Sequence, residues 1–227
     1  MLLIRREEGS DFQEFFLEPV TSYVRRRLKE RFMEEEWKEQ LRVYESFASL
    51  KQLRRLASVV FESMVQLQLQ KEVVLNLVPM WNLRGTENPT WTSHPIAANT
   101  YTGIPIRFKP ENVVKYEGST LKVFHPCDLY VPTSSKQVAF DAFVLVDGVL
   151  YIFRFSEAPS HGIKGDMMDF FSQPTLYTML QGAKWRFVFI TPLGLTITCD
   201  EPSITRFAES RERVTLFSAE FDPKKQG

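Results

Sequence analysis

The sequence predicts an α/β fold in which a helical region precedes a mixed β-sheet. The first 72 residues contain one Gly and one Pro and are rich in Glu, Arg, Lys, Leu and Gln, which favour helices. From Val73 onward, runs of β-branched and aromatic residues alternate with turn signals. Between two of these runs lies a segment in which apolar residues recur at helical spacing. This order indicates two strands joined by a crossover helix.

The composition is that of an ordinary globular protein. The 227 residues include 28 Lys+Arg against 28 Asp+Glu, and 44% are hydrophobic, which excludes a wholly disordered chain. A net charge of zero argues against a surface that is basic throughout, but it leaves room for a local basic groove.

The same composition predicts a soluble intracellular protein. Two cysteines are too few for a disulfide scaffold and favour a reducing compartment. The opening MLLIRREEGS holds too short an apolar run for a signal peptide, and no window approaches 18 apolar residues. We therefore expect no membrane partner.

Three helices are predicted in the N-terminal region, near Asp11–Glu18, Val20–Phe47 and Leu50–Lys71. The second has charges on most of its circumference, which is typical of a solvated helix with local ion pairs. The alternative is a nucleic-acid contact through Arg25–Arg27, which the acidic run that follows would oppose.

The third helix has a clear apolar stripe, formed by Leu53, Leu56, Ala57, Val60, Phe61, Met64 and Leu67. Val59, Val65 and Leu69 fall outside this stripe, so the helix is expected to pack on two sides. Glu62 lies opposite the stripe, and a lone Glu there is more often solvated than a ligand.

The stretch from Trp81 to Asn112 is rich in Pro, Thr, Asn and Gly and is predicted to be a long loop region with at most short strands. Its aromatic residues would pin the loop to the core. Stacking on nucleic-acid bases is the less favoured alternative.

The most informative segment, Val138–Thr191, predicts a hairpin, a helix and a buried strand. Asp147-Gly148 lies between two strand-forming runs and is the signature of a two-residue turn. Helical spacing follows over Gly162–Gln181, with a break or bend at Pro174. Trp185–Thr191 is almost continuously apolar, as expected for a strand buried on both faces and parallel to the second hairpin strand.

The remaining chain repeats this pattern more weakly. The segment LTITCD ends at Asp200, a polar helical stretch is predicted around Ser203–Arg213, and the strand VTLFSAEF follows.

The hairpin register predicts a polar cluster on an otherwise apolar sheet face. If Val146 pairs with Val149, then Asp141 lies opposite Arg154 on the same face, and Ser156 follows on that side. One interpretation is a cross-strand ion pair that fixes the register, because an unpaired Asp141 would be costly. The other is the end of an active site with groups from two adjacent strands.

Common catalytic motifs are missing from the sequence. Glu157, His161 and Lys164 follow the polar cluster, but no spacing of His and Cys is typical of a zinc site. There is no P-loop, no GxGxxG and no GxSxG motif. Cys127 has only His125, two residues before it in the sequence, as a candidate activating partner, so a Cys/His nucleophile is not favoured.

Three segments carry a family resemblance. They are LRRLASVVFESMVQ with Phe61 and Glu62, DLYVPTSSKQVAFDAFVLV with Tyr130, Pro132 and Asp141, and LYIFRFSEAPSHGIKGDMMDFF with His161, Ile163 and Lys164. Together they resemble the C-terminal domain of Crinkler and retrotransposon-hot-spot proteins, over about Leu53 to Phe189. That domain is similar to PD-(D/E)XK nucleases of the restriction-endonuclease-like superfamily.

The resemblance implies a site as well as a fold. It implies a mixed central sheet flanked by helices, with residues 1–48 as an N-terminal helical extension and residues 49–227 as the PD-(D/E)XK-like domain. Glu62 and Asp141 would hold Mg²⁺, which prefers hard oxygen ligands, and the metal would activate water. Lys164 would help to orient the water or the phosphate.

This chain departs from the family pattern after the second hairpin strand begins. Where related nucleases have Glu or Gln, and Crinkler-like domains Gln-x-Thr, it has Arg154-Phe155-Ser156. A guanidinium has no lone pair for Mg²⁺ and would neutralise Asp141. Arg154→Gln is therefore expected to raise the affinity for Mg²⁺.

Two functional hypotheses follow. The first is a nuclease-like domain that acts on or binds nucleic acid, DNA rather than RNA, in the nucleus, with weak or no Mg²⁺-dependent endonuclease activity. The second is a non-catalytic protein–protein interaction module that uses the nuclease fold as a scaffold. The family also implies an upstream NTPase-like region or a partner protein, and an effector that acts inside a host cell.

Overall fold

The computed structural model describes residues 2–6, 15–19, 21–83, 90–93, 103–118, 120–133, 139–163, 166–200 and 214–225. The chain forms two compact units. The first comprises Met1–Gln68 together with Asp222–Gly227, and the second is Leu69–Phe221. The division predicted from the sequence, 1–48 and 49–227, concerns the extent of a nuclease-like domain and stays a prediction.

The first unit contains a hairpin and helices. Its elements are strands β1 (Leu2–Arg6) and β2 (Phe15–Pro19), helices α1 (Ser22–Glu34), α2 (Trp37–Ala48) and α3 (Arg54–Leu69, whose last residue belongs to the second unit), and 3₁₀ turns at Lys51–Leu53 and Pro223–Lys225. The prediction of a helix near Asp11–Glu18 is wrong for the described part, because Phe15–Pro19 pairs antiparallel with β1. Pairing between strands overrides the local helix preference there.

The long helix predicted over Val20–Phe47 is two helices. The side chain of Thr21 accepts a hydrogen bond from the Val24 N–H and caps the start of α1. The helix ends at Glu34, and Glu35 and Glu36 have extended backbones. Three adjacent carboxylates repel one another and the negative end of the helix dipole, which favours a break at this point.

Helix α3 matches the sequence prediction closely. Ala57, Val60, Phe61 and Met64 of the apolar stripe are buried, and so are Val59 and Val65 outside it. The helix is therefore covered on more than one side.

The second unit is built on an eight-stranded mixed sheet. Its strands are β3 (Val73–Pro79), β6 (Ile104–Phe108), β7 (Val113–Tyr116), β8 (Leu129–Pro132), β9 (Ala142–Val146), β10 (Val149–Phe155), β11 (Lys184–Pro192) and β13 (Val214–Phe221). The spatial order is β6-β3-β13-β11-β10-β9-β8-β7. Strands β10, β11 and β13 run parallel, and β9 is antiparallel to β10.

The predicted hairpin and buried strand are confirmed. Val146 pairs with Val149 around Asp147 and Gly148, which both have the positive φ of a two-residue hairpin turn. Strand β11 is parallel to β10 and buried along most of its length. This is the α/β arrangement that the sequence predicts.

The sheet is strongly curled. Phe108 of β6 contacts Tyr151 and Phe153 of β10, with ring centroids 4.8 and 5.3 Å apart. Three strands separate β6 from β10 in the sheet order, so these contacts require the sheet to bend back over itself.

Two short helices pack on one face of this sheet. They are α4 (Asp166–Phe171) and α5 (Pro174–Tyr177), which replace the single predicted helix and are separated just before Pro174, where the sequence predicts a break. Phe170 and Phe171 of α4 contact Phe143 of β9. This face of the sheet contributes to the main buried core.

A small three-stranded sheet adjoins this unit's core. It consists of β4 (Trp81–Leu83), β5 (Thr90–Thr92) and β12 (Thr198–Asp200), in the order β12-β5-β4. The polar helix predicted around Ser203–Arg213 lies outside the described residues. Within the described parts of the chain, no helix has both the length and the apolar character needed to cross a membrane.

Candidate functional site

The centre of the candidate site in the second unit is the pair Asp141–Arg154. Arg154 Nη1 lies 3.5 Å from Asp141 Oδ2. The observed β9–β10 register ends with Ala142 opposite Phe153, and Asp141 and Arg154 directly follow these two residues at the end of the hairpin. The ion pair that the sequence predicts between them is present. The exposed fractions of the two side chains are 17% for Asp141 and 22% for Arg154, so water screens their attraction only partly.

Asp141 also terminates the strand pairing. Its N–H donates to the Phe153 carbonyl at 2.8 Å, and its Oδ2 accepts from the Phe155 N–H at 2.9 Å. In a ladder that continued past Ala142, a backbone carbonyl would accept from Phe155. The carboxylate takes that place, because β9 begins only at Ala142. Asp141 therefore has a structural role in addition to its charge.

Ser156 is oriented by its own loop. Its Oγ accepts from the Ala158 N–H at 3.0 Å and donates to the Ala158 carbonyl at 3.2 Å. The residue is buried, and its N–H donates to Ile190 of β11. Through these hydrogen bonds, Ser156 stabilises the turn after β10.

The loop after β10 brings His161 towards the same end of the sheet. The His161 N–H donates to the Thr198 carbonyl at 2.9 Å, and its ring centroid lies 6.4 Å from that of Phe189. Phe189 is the register partner of Arg154. Glu157 is partly buried in this loop, and Lys164 lies outside the described residues.

Glu62, the other predicted metal ligand, belongs to the first unit and has its own arginine. Arg25 Nη2 of α1 lies 2.5 Å from Glu62 Oε1 of α3, and the hydroxyl of Ser58 donates to the same oxygen at 3.3 Å. The Glu62 side chain is only 13% exposed. No sequence pattern indicates Arg25 as the partner of Glu62, because 37 residues separate the two and only the packing of two helices joins them.

Both predicted metal ligands are therefore engaged by arginine within their own units. Glu62 Oε1 faces Arg25, and Asp141 Oδ2 faces Arg154 and a backbone amide. A Mg²⁺ ion would have to displace these donors to be ligated by either oxygen. As arranged, these two oxygens are not open to Mg²⁺. Among the described residues, no group of three or more His, Cys, Asp and Glu side chains is arranged to hold a metal.

The second unit also has an apolar groove. It is lined by Leu69, Phe108, Lys109, Pro110, Leu129, Val144, Val146 and Phe153. Lys109 is its only charged lining residue, and the Lys109 ammonium lies 3.8 Å from a Glu72 carboxylate oxygen.

Comparisons with known proteins give no relative. No protein-family model, no curated protein and no solved structure matches this chain.

Proposed function

We propose that this chain is a non-catalytic protein–protein interaction domain on a restriction-endonuclease-like scaffold. In it, Glu62 and Asp141, the residues that match the family's metal ligands, serve as structural ion-pair partners. The observation that carries the proposal is the arginine beside each carboxylate, Arg25 in one unit and Arg154 in the other.

The pairing of an arginine with each of the two carboxylates favours this proposal over an active nuclease. Metal-dependent cleavage needs carboxylate oxygens that are open to the ion, and a guanidinium neutralises the charge that attracts it. The second donor on Asp141, the Phe155 amide, gives that carboxylate a role that does not need a metal.

Four exposed cations that could contact nucleic acid are already paired within the chain. On α1, Arg27 and Arg31 pair with glutamates one turn ahead. On β6 and just after it, Arg107 and Lys109 both lie near Glu72. Nucleic-acid affinity depends on cations that neutralise phosphates, and these four already face carboxylates.

The first experiment is a cleavage assay with Mg²⁺ or Mn²⁺ on supercoiled plasmid and single-stranded RNA, with Asp141→Ala beside the wild type. We expect no cleavage by either protein. Metal-dependent cleavage by the wild type that Asp141→Ala abolishes would overturn the proposal.

A calorimetric titration of Mg²⁺ tests the role of the arginines. We expect no binding heat from the wild type. Arg25→Gln combined with Arg154→Gln removes both guanidinium groups, and Arg42→Gln, from an exposed ion pair, is the matched control. Mg²⁺ binding by the wild type or the control would contradict the proposal. Binding that appears only in the double variant would indicate that the two arginines block an ancestral Mg²⁺ site.

Nucleic-acid binding is the third arm. Fluorescence anisotropy with labelled duplex DNA and single-stranded RNA near physiological salt should show no saturable binding by the folded protein. A salt-sensitive, saturable signal would favour the nucleic-acid hypothesis instead.

A further inference from the structure

Arg186 of β11 lies between two aromatic rings from the neighbouring strands. Its Cζ atom is 5.5 Å from the ring centroid of Tyr151 on β10 and 5.2 Å from that of Phe217 on β13. Arg186 Nη1 also donates a hydrogen bond of 3.2 Å to the Tyr151 hydroxyl. Tyr151 and Phe217 are both buried. These contacts fix the position of the guanidinium.

Arg186 has no acidic partner in the described part of the chain. Two other arginines of the second unit, Arg107 and Arg154, lie 3.2 and 3.5 Å from oxygens of Glu72 and Asp141. No ion pair between described residues includes Arg186, and its hydrogen bond to Tyr151 uses one of the five N–H donors of a guanidinium. The residue is only partly exposed. A shielded charge without a counter-ion is costly, so the remaining donors favour an anion from outside the chain.

Two neighbours add further donors on the same face of the sheet. Lys184 lies two residues before Arg186 on β11, which places both side chains on one face. Lys184 is exposed, and no described carboxylate forms an ion pair with it. Thr215 of β13 is the register partner of Arg186 and is also exposed. A guanidinium, an ammonium and a hydroxyl group can therefore all donate to one anion.

The charge near this site suits a carboxylate better than nucleic acid. Burial raises the pKa of the Tyr151 hydroxyl, the Arg186 charge lowers it, and the Asp147 charge raises it again. Asp147 is therefore close enough to act on the same site, and it is exposed at the hairpin turn. Its charge would repel the closely spaced phosphates of a nucleic acid more than it would repel a single carboxylate.

We infer that Arg186, with Lys184 and Thr215 beside it, binds a carboxylate on an acidic segment of a protein partner. The planar guanidinium matches a carboxylate with two parallel hydrogen bonds. Arginine and tyrosine are also enriched among the residues that dominate binding at protein interfaces. The inference rests on the proposed function and deepens it by giving the chemistry of the partner.

The test is fluorescence anisotropy of the full chain with labelled hexaglutamate as the acidic probe and labelled hexaglutamine as the uncharged one. Exposed charge contacts are weak, so we expect saturable binding of hexaglutamate at low salt with a dissociation constant on the order of 100 µM. Hexaglutamine should not bind. High salt should weaken the binding of hexaglutamate, because the Debye length falls to about 3 Å near 1 M.

Variants of Arg186 separate binding from a purely structural role. Arg186→Gln removes the charge and should weaken binding about tenfold, and Arg186→Lys keeps the charge without the planar fork and should weaken it about threefold. Arg107→Gln changes an exposed arginine that is already paired and should leave binding within about twofold of wild type. Urea unfolding is measured for each variant. If Arg186→Gln does not fold, Arg186→Lys and Lys184→Gln replace it, and each should weaken binding about threefold.

Competition distinguishes the possible sources of the anion. Unlabelled hexaglutamate, sodium acetate, inorganic phosphate and duplex DNA are compared at equal concentrations of negative charge and equal ionic strength. Hexaglutamate should displace the probe most effectively, because neighbouring carboxylates of one segment can reach Arg186 and Lys184 together.

Four results would overturn the inference. They are no saturable binding of hexaglutamate, binding that the folded Arg186 variants do not weaken, displacement by DNA or phosphate that exceeds displacement by hexaglutamate, and displacement by acetate that equals it. The third would indicate a phosphate site and the fourth a site for small carboxylates. None of them would alter the cleavage and calorimetry results, on which the non-catalytic proposal depends.

Discussion

Arg154 Nη1 lies 3.5 Å from Asp141 Oδ2, and that same oxygen accepts the Phe155 amide hydrogen bond at 2.9 Å. A single carboxylate thus balances a guanidinium and closes the end of a strand pairing. Its two roles can be separated by substitution, since one needs charge and the other only an acceptor.

Asp141→Ala removes both roles, whereas Asp141→Asn keeps an oxygen for the Phe155 N–H. We expect Asp141→Ala to lower the free energy of unfolding by about 1–3 kcal/mol, because it leaves a shielded amide and a guanidinium without their acceptor. Asp141→Asn should cost roughly half as much. Urea unfolding measures both. Equal or greater stability of Asp141→Ala would instead indicate a carboxylate kept for function at the expense of stability.

The Arg25–Glu62 pair should be more strongly coupled than an exposed pair. Glu62 is only 13% exposed, so solvent screens this pair less than Arg42–Glu39. A double-mutant cycle with alanine substitutions should give a coupling of about 1 kcal/mol for Arg25–Glu62 and a clearly smaller coupling for the exposed pair Arg42–Glu39. Equal coupling energies would argue against a structural role for the ion pair between Arg25 and Glu62.

Alkaline pH should destabilise the protein through its buried tyrosines. Burial raises the pKa of Tyr116, and it also raises the pKa values of Tyr130 and Tyr151. The folded protein therefore keeps these protons at pH values where the unfolded chain, with a pKa near 10, loses them. This contribution to stability is fully present below about pH 10 and is lost as pH rises toward the folded pKa.

Tyr116→Phe isolates the largest of these effects. The Tyr116 hydroxyl is buried without a hydrogen-bond partner among the described residues, so its removal should be neutral or stabilise by up to about 1 kcal/mol at pH 7. Above about pH 10, the variant should lose less stability than the wild type. Thermal unfolding across this range is the measurement, with exposed Tyr177→Phe as the control. Parallel pH profiles for wild type and Tyr116→Phe would contradict the prediction.

Cys127 should react slowly with thiol reagents near neutral pH. Burial raises the pKa of its thiol, and the charges of Glu111, Asp147 and Asp128 raise it further, so little thiolate is present. Asp147→Asn removes one of these charges, and Asn tolerates the positive φ at this turn position. The variant should react about twofold to fivefold faster in a kinetic assay with a chromogenic disulfide. Exposed Asp169→Asn is the control, and an unchanged rate for Asp147→Asn would refute the electrostatic account.

The sequence predicts the hairpin and its register because that information is local. Asp147 and Gly148 specify the turn, and the pairing of successive residues on either side of it then predicts the register as far as Ala142 and Phe153. The buried strand β11 is predictable for a similar reason, since its apolar run is continuous.

Contacts between distant segments leave no local signal in the sequence. The pairing of Phe15–Pro19 with β1 overrides a local helix preference. The break after Glu34 interrupts a sequence pattern that otherwise favours one long helix. The Arg25–Glu62 ion pair depends on how two helices pack, and no periodicity in either helix indicates it.

Helix α2 contacts residues that are synthesised much later than the helix itself, which has a consequence for folding during translation. Trp37 of α2 donates a hydrogen bond to the Pro223 carbonyl, and Lys224 forms an ion pair with Glu45 of the same helix. Trp37 and Pro223 are 186 residues apart, so at about 5–20 residues per second the ribosome adds the second of them roughly 10 to 40 s after the first. The second unit, Leu69–Phe221, is made entirely within that interval. Helix α2 therefore cannot form these C-terminal contacts while a whole sheet is being translated. A chain whose translation stalled at Phe221 would leave α2 without them.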